Sequence, residues 1–120
     1  MATINGVIHR IEQSQLLPMT IAYKKKNCRL VQICAVTTND GYELSYSFAK
    51  GYELEHLRLL LNANDEISSI SSIYPSAFLY ENEIKELFGV KINEISVDYH
   101  NRLYRINVNT PFGVKEGGAE

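Results

Sequence analysis

The sequence predicts an α+β fold, a two-layer sandwich in which two helices pack on one face of a mostly antiparallel or mixed sheet of about five strands. One helix, between Ser76 and Gly89, has start and stop signals that agree with its periodicity, and a strand-turn-strand pattern surrounds Asn39-Asp40-Gly41. The length of 120 residues, with 45% hydrophobic and 22% charged residues, suits one core. We therefore expect residues 1–120 to form a single domain, with residues 114–120 as a flexible tail.

The N-terminal part predicts a strand followed by a helix. Val7 to Glu12 begins with β-branched residues, which favours a first strand at a sheet edge. From Leu16 to about Lys26 the apolar residues keep helical spacing. Lys24-Lys25-Lys26 would end this helix, where cations interact favourably with its dipole. Nucleic acid or anionic lipid is the other interpretation of the three lysines, but such patches usually need more charges.

The middle of the chain predicts three successive strands. Arg29 to Thr37 is apolar at nearly every position, which is typical of a central strand buried on both faces or of a strand under a helix. Asn39-Asp40-Gly41 tolerates the positive φ that tight hairpins require, and strict apolar-polar alternation follows from Tyr42 to Phe48. Tyr52 to Leu61 fits a strand or a helix, and the short turn at Lys50-Gly51 favours the strand.

The segment from Ile67 to Ile73 places isoleucines three apart among serines and matches no regular element. We expect an ordered loop, held by its isoleucines, that leads into the second helix. After that helix, Ile92 to Val97 and Leu103 to Val108 predict a final pair of strands.

The helix between Ser76 and Gly89 organises the rest of the chain. Ser76 is a good N-cap, because its hydroxyl can accept a hydrogen bond from a backbone N–H of the first turn. Gly89 can adopt the left-handed conformation that ends a helix. Helical spacing gathers one apolar stripe that should face the core. The stripe consists of Ala77, Tyr80, Ile84, Leu87 and Phe88.

Residues off this stripe are candidates for a partner-binding surface. Glu83 and Glu86 should lie opposite the stripe with Leu79, while Phe78 should lie on the flank with Glu81. Apolar residues there have no use within the domain, which favours a partner protein. The alternative is that they fold under neighbouring loops.

Several features disfavour an enzyme, although paired carboxylates can divide acid and base work. The three glutamates are expected on a solvated or partner-facing side of the helix, and they have no neighbouring His or Asp in sequence. The chain also has no phosphate loop, nucleophile elbow or metal-ligand spacing. Cys28 and Cys34 fit neither a CxxC pair nor a four-cysteine iron–sulfur pattern. We therefore expect no cofactor or metal in this chain.

Net charge and hydropathy also limit the partners and the cellular location that we expect for this protein. The net charge of -2 disfavours nucleic acid as a partner, because nucleic-acid-binding domains are usually strongly basic. No apolar run is long enough to cross a bilayer, and the N-terminus lacks the features of a signal peptide. The sequence thus predicts a cytoplasmic interaction protein.

The helix and its flanks contain two motifs, Tyr74-Pro75-Ser76-Ala77 and Glu81-Asn82-Glu83-x-x-Glu86-Leu87-Phe88-Gly89-Val90. These motifs show a resemblance to the 30-kDa subunit family of respiratory complex I, the NADH-quinone oxidoreductase. The resemblance is closer to the short form, the hydrophilic D subunit of Ech-type energy-converting membrane-bound nickel–iron (NiFe) hydrogenases, and covers roughly residues 15–113. Other stretches that fit are Arg29 to Ile33, Tyr42 to Phe48, Ser68 to Tyr74 and Thr110 to Phe112.

The resemblance implies a non-catalytic hydrophilic subunit that braces the NiFe large subunit and the iron–sulfur small subunit, peripheral to the cytoplasmic face of the cell membrane. The alternatives are a component of an NADH- or other quinone oxidoreductase, or a small nucleic-acid- or lipid-binding adaptor. Partner contacts implied by the family signature are Phe78, Leu79, Glu81, Glu83, Glu86, Phe88 and Gly89.

A further set of partner contacts would come from His100, Arg102 and Arg105. The complex I form has a Gly-His-Pro-x-Leu-Arg-Arg segment soon after the helix, whereas these three residues come later and lack the Gly and Pro. Asn82 stands where the complex I form has Arg, so an ion pair made by that Arg is absent here.

Overall fold

The computed structural model of the chain describes residues 6–95. Over this range the chain forms six strands and two α-helices, with a short 3-10 turn at Gln13–Gln15 before the first helix. In chain order the elements are β1 (Val7–Arg10), α1 (Leu16–Lys25), β2 (Arg29–Thr37), β3 (Gly41–Lys50), β4 (Glu53–Asn62), β5 (Glu66–Ser68), α2 (Ala77–Phe88) and β6 (Lys91–Asn93).

Strands β1 to β4 form one mixed sheet in the order β1-β4-β3-β2. The hairpins β2-β3 and β3-β4 are antiparallel, and β1 pairs with β4 in parallel. Strands β5 and β6 form a separate parallel pair, with Ile67 opposite Ile92. The predicted α+β class is confirmed, with four strands in the main sheet and two in a small second sheet over the described range.

Both helices pack on the same face of the main sheet. Phe48 of β3 stacks on Tyr23 of α1 with ring centroids 4.5 Å apart. The hydroxyl of Tyr42, also on β3, donates to the carbonyl of Phe88 in α2 at 2.6 Å. Residues separated by an even number lie on one face of a strand, so both helices lie on that face. The buried side chains of this face of β3 are Tyr42, Leu44, Tyr46 and Phe48.

Glu55 of β4 ties α1 and β1 to the sheet. Its carboxylate accepts a hydrogen bond from the hydroxyl of Tyr23 at 2.7 Å and lies 3.1 Å from Nε2 of His9. The bond from Tyr23 is the largest of the effects that together lower the pKa of Glu55, although partial burial opposes them.

Among the strands of residues 6–95, β2 lies at an edge of the main sheet, and its low burial shows that the prediction of a central strand buried on both faces is wrong. Of its nine residues only Ile33 is buried. The alternative prediction, a strand under a helix, agrees better with the structure, because the hydroxyl of Tyr80 in α2 donates to the carbonyl of Val31 at 3.0 Å. The hydroxyl of Tyr74, before α2, donates to the carbonyl of Cys28 at 2.6 Å. An apolar run does not reveal whether a strand has one neighbour or two.

The predicted hairpin at Asn39-Asp40-Gly41 is confirmed, but for a different reason. None of the three residues takes a positive φ. Gly41 is required by space, because a Cβ there would collide with the carbonyl oxygen of Leu61 on β4. In the next turn Gly51 does adopt a positive φ of 63°. The strand predicted from Tyr52 to Leu61 is confirmed as β4.

The serine-rich segment before α2 is ordered by its isoleucines, as expected. Ile67 and Ile70 are buried, and Ile73 packs partly against the core. The short strand β5 in this segment was not predicted. Strand β6 confirms the first strand expected after α2, whereas the strand predicted at residues 103–108 and the tail at 114–120 lie outside the described residues.

Substitutions at Ile84 and Leu87 should distinguish a buried position of α2 from a half-buried one. Ile84→Ala should lower the free energy of unfolding by about 2–5 kcal/mol, because it removes buried apolar contacts and leaves a cavity. Leu87, on the same predicted stripe, is only half-buried, so Leu87→Ala should have a smaller effect. Denaturant unfolding of both variants tests this, and equal losses would contradict the packing described.

Candidate partner interface around helix α2

The predicted helix is confirmed as α2, and Gly89 ends it in the left-handed conformation with φ of 81°. The predicted cap by Ser76 is wrong: Ser76 already has helical dihedral angles, and its side chain makes no cap hydrogen bond. The chain turns before the helix begins, so the N–H groups of Ala77 and Phe78 bond the carbonyls of Tyr74 and Pro75. These backbone bonds replace the cap.

The core side of α2 includes a carboxylate. Ala77 and Ile84 are buried as predicted, while Tyr80, Leu87 and Phe88 are half-buried. Glu81, expected on the flank, is fully buried with a relative exposure of 0%. It follows Ala77 by four residues and precedes Ile84 by three, so helical geometry alone places it on the stripe.

Glu81 is held by the serine-rich turn that precedes α2. The hydroxyl of Ser69 donates to its Oε1 at 2.6 Å, and the N–H of Ile70 donates to its Oε2 at 2.8 Å. The hydroxyl oxygen of Ser69 also accepts the N–H of Ser71 at 2.9 Å. Burial raises the pKa of Glu81, and the two hydrogen bonds oppose that shift. The carboxylate thus joins the turn to the helix.

Part of the opposite side of α2 is also enclosed. Asn82 is fully buried, and its side-chain N–H donates to the carbonyl of Phe78 at 2.8 Å. Glu86 is buried too, at 5% exposure, and Glu83 is half-buried. The prediction of a solvent-facing pair at Glu83 and Glu86 is therefore wrong for Glu86. Periodicity locates an apolar stripe but does not show where hydrogen-bonded polar groups are buried.

Leu79 is the large apolar residue of α2 that stays at the surface, with 50% exposure. Phe78 packs partly against the core, so the alternative of folding inward holds for Phe78 and not for Leu79. Phe88 and Gly89 complete the end of the helix. His100, Arg102 and Arg105 lie outside the described residues. A partner-binding role for the signature residues remains a prediction, and Leu79 is the most accessible of those that the structure describes.

Residues 6–95 contain no group of three or more His, Cys, Asp or Glu side chains arranged to hold a metal ion. Cys28 is half-buried, Cys34 is exposed, and both are free thiols. Neither of the helices in this range has the length and hydropathy needed to span a bilayer.

The family signature in α2 lies within a longer match. Residues 9–113 match the family model of the respiratory-chain NADH dehydrogenase 30-kDa subunit. The chain belongs to this family. A separate comparison of structures shows that this member of the 30-kDa subunit family has a fold similar to one chain of a solved complex. That complex is the membrane-bound sulfane sulfur reductase, an archaeal respiratory membrane complex.

That structural match has a TM-score of 0.78 at 16% sequence identity, and it covers 92% of this chain and 69% of the other. At this identity the similarity shows a shared fold. A comparison with curated proteins returned no significant match.

The buried carboxylate should give the 30-kDa family protein a distinct pH dependence. Because burial raises the pKa of Glu81, the folded chain holds the proton more tightly than the unfolded chain does. The stability of the wild type relative to Glu81→Gln should therefore be greatest below the ordinary pKa of glutamate. It should fall as pH rises through the raised pKa of the folded state. Denaturant unfolding across a pH series measures this difference.

A second variant, Ser69→Ala, tests whether the hydrogen bond between Ser69 and Glu81 contributes to stability. Removing the donor in the wild type should destabilise the fold more than removing it in Glu81→Gln, because the two side chains are hydrogen-bonded. Identical pH dependence in the wild type and Glu81→Gln would contradict the described burial of Glu81.

Proposed function

We propose that the chain is a structural subunit of a membrane-bound energy-converting NiFe hydrogenase, where it braces the NiFe large subunit and the iron–sulfur small subunit. The observation that carries this proposal is the family match over residues 9–113, which contains all of α2. The finer assignment to the hydrogenase class is supported by the resemblance of α2 and its flanks to the D subunit of Ech-type enzymes.

The arrangement of Glu81 supports a structural role. A general acid or base must reach a substrate, but both oxygens of Glu81 accept hydrogen bonds from the chain itself, at 2.6 and 2.8 Å. These bonds stiffen the junction between the serine-rich turn and α2. In the proposed assembly, electron transfer and hydrogen chemistry take place in the neighbouring subunits, and this chain binds no cofactor.

A second candidate is a component of another membrane-bound respiratory complex. The fold match to a chain of the membrane-bound sulfane sulfur reductase favours a complex of that kind. The family description equally supports an NADH- or other quinone oxidoreductase. In each of these, the chain would have the same bracing role on the cytoplasmic side, peripheral to the membrane, and the partners would determine the reaction.

An adaptor for nucleic acid or lipid is less well supported. Among the three lysines that suggested it, Lys24 has its ammonium group 4.9 Å from the centroid of the Tyr74 ring. This cation–π contact gives Lys24 a structural use within the domain.

Purification of the assembled complex tests the proposal. The full-length chain, carrying an affinity tag, is expressed in its own host and isolated from detergent-solubilised membranes. We expect it to retain a large and a small subunit, identified by mass spectrometry, and the preparation to contain nickel and to oxidise hydrogen. Sulfane sulfur or quinone reduction without nickel would favour the second candidate. Recovery of the chain alone would contradict both.

A further inference from the structure

The face of the main sheet opposite the helices carries a surface of mixed chemistry. Strand pairing arranges its side chains in rows across the sheet. One row contains Val36, Glu43 and Leu60, and the next contains Cys34, Ser45, Arg58 and Arg10. Directly paired residues lie on the same face. We call these seven residues the outer sheet face.

The two arginines on the outer sheet face have most of their hydrogen-bonding capacity unused within residues 6–95. Each approaches the same carboxylate oxygen of Glu43 at 4.0 Å, which is beyond hydrogen-bond distance. Nε of Arg58 donates a long hydrogen bond of 3.4 Å to Ser45. A guanidinium has five N–H donors, so both side chains can still bind another acceptor. The Arg10 side chain is 71% exposed.

Exposed apolar side chains flank these charges. Leu60 is 62% exposed and Val36 is 56% exposed, and they lie on either side of Glu43 in the same row. Both are more exposed than Leu79 on α2, which is 50% exposed. Arginine is enriched at protein interfaces, and the fully buried centre of an interface is more apolar than the rest of the protein surface.

Charge distinguishes between the partners that this surface could take. Two arginines and one glutamate give the cluster a net charge of +1. Attraction to anionic lipid usually takes clusters of about four to eight Lys or Arg residues. A single carboxylate from a partner could bind both guanidinium groups, because each still has free N–H donors and arginine binds carboxylates through two parallel hydrogen bonds. The surface therefore favours a protein segment with one acidic residue and an adjacent apolar residue.

We infer that the outer sheet face is a second docking surface, which binds a partner subunit through an Asp or Glu at Arg10 and Arg58 and an apolar side chain on Leu60 and Val36. The inference rests on the proposed function, because a subunit that braces two neighbours needs two surfaces. Leu79 lies on the helix layer, whereas the outer sheet face lies on the other side of the sheet.

Matched variants of the tagged full-length chain test the inference in the purified membrane complex. Leu60→Ser is paired with Tyr52→Ser, which removes a fully exposed large side chain from the turn between β3 and β4, outside both candidate surfaces. Arg10→Glu is paired with Lys25→Glu, which makes the same change of charge at an exposed site on α1. Arg10→Glu and Leu60→Ser should each reduce retention of the same partner subunit by roughly tenfold or more. The two control variants, Lys25→Glu and Tyr52→Ser, should both retain that subunit.

Labelling of Cys34 provides a readout in which no residue of the outer sheet face is replaced. Cys34 is exposed, and it lies in the same row as Arg58. In a Cys28→Ser background, maleimide labelling of Cys34 should be at least about tenfold slower in the assembled complex than in the isolated chain, because a docked partner excludes the reagent. A cross-linker attached at Cys34 should join a partner peptide that contains Asp or Glu.

The outcomes separate the inference from the proposed function. If the wild-type chain retains its partners while Cys34 reacts at the rate of the isolated chain, the inference is overturned and the proposed function stands. Protection of Cys34 with full retention by both outer-face variants overturns the carboxylate chemistry. If phosphatidylserine vesicles bind the wild type and not Arg10→Glu, the occupant is a membrane, which also overturns the inference. Failure of the wild type to retain any subunit overturns both.

Discussion

The hydrogen-bonded carboxylate of Glu81 is the link on which the C-terminal part of the described fold depends. It joins α2 to the turn at Ser69 and Ile70, so the helix and the end of β5 are fixed relative to each other. Since Gly89 then turns the chain into β6, the same link sets the pairing of β5 with β6. A buried carboxylate is tolerated here because both of its oxygens are hydrogen-bonded.

Tyrosine hydroxyls connect the layers of the fold in a similar way. Three of them, on Tyr42, Tyr74 and Tyr80, donate to backbone carbonyls 46 to 49 residues away in sequence. Tyrosine combines an apolar ring with a donor at its tip, so it fills the interface between helix and sheet and also satisfies a carbonyl. This accounts for the choice of tyrosine at these three positions.

Most features with a local signal in the sequence are predicted correctly, although the side-chain cap at Ser76, which is also local, is not. The alternation in β3, the turn at Gly51 and the stop at Gly89 depend on residues that are adjacent or one helical turn apart, and each was predicted. Features that depend on residues far apart in sequence are not predicted. Helical spacing alone places Glu81 on the apolar stripe, but the hydrogen bond that accompanies its burial comes from a serine twelve positions away. The edge position of β2 within residues 6–95 depends on which other strands compete for pairing. The outer sheet face likewise becomes visible only when the register of four strands is known.

The parallel pairing of β1 with β4 affects how the chain folds during synthesis. β1 lies near the N-terminus, but its partner residues, Glu55 to Arg58, are separated from it by α1 and the β2-β3 hairpin. The hairpins can form from neighbouring segments, whereas β1 cannot join the sheet until the ribosome has released β4. The first of these four strands to be translated therefore cannot pair until the last of them has been made.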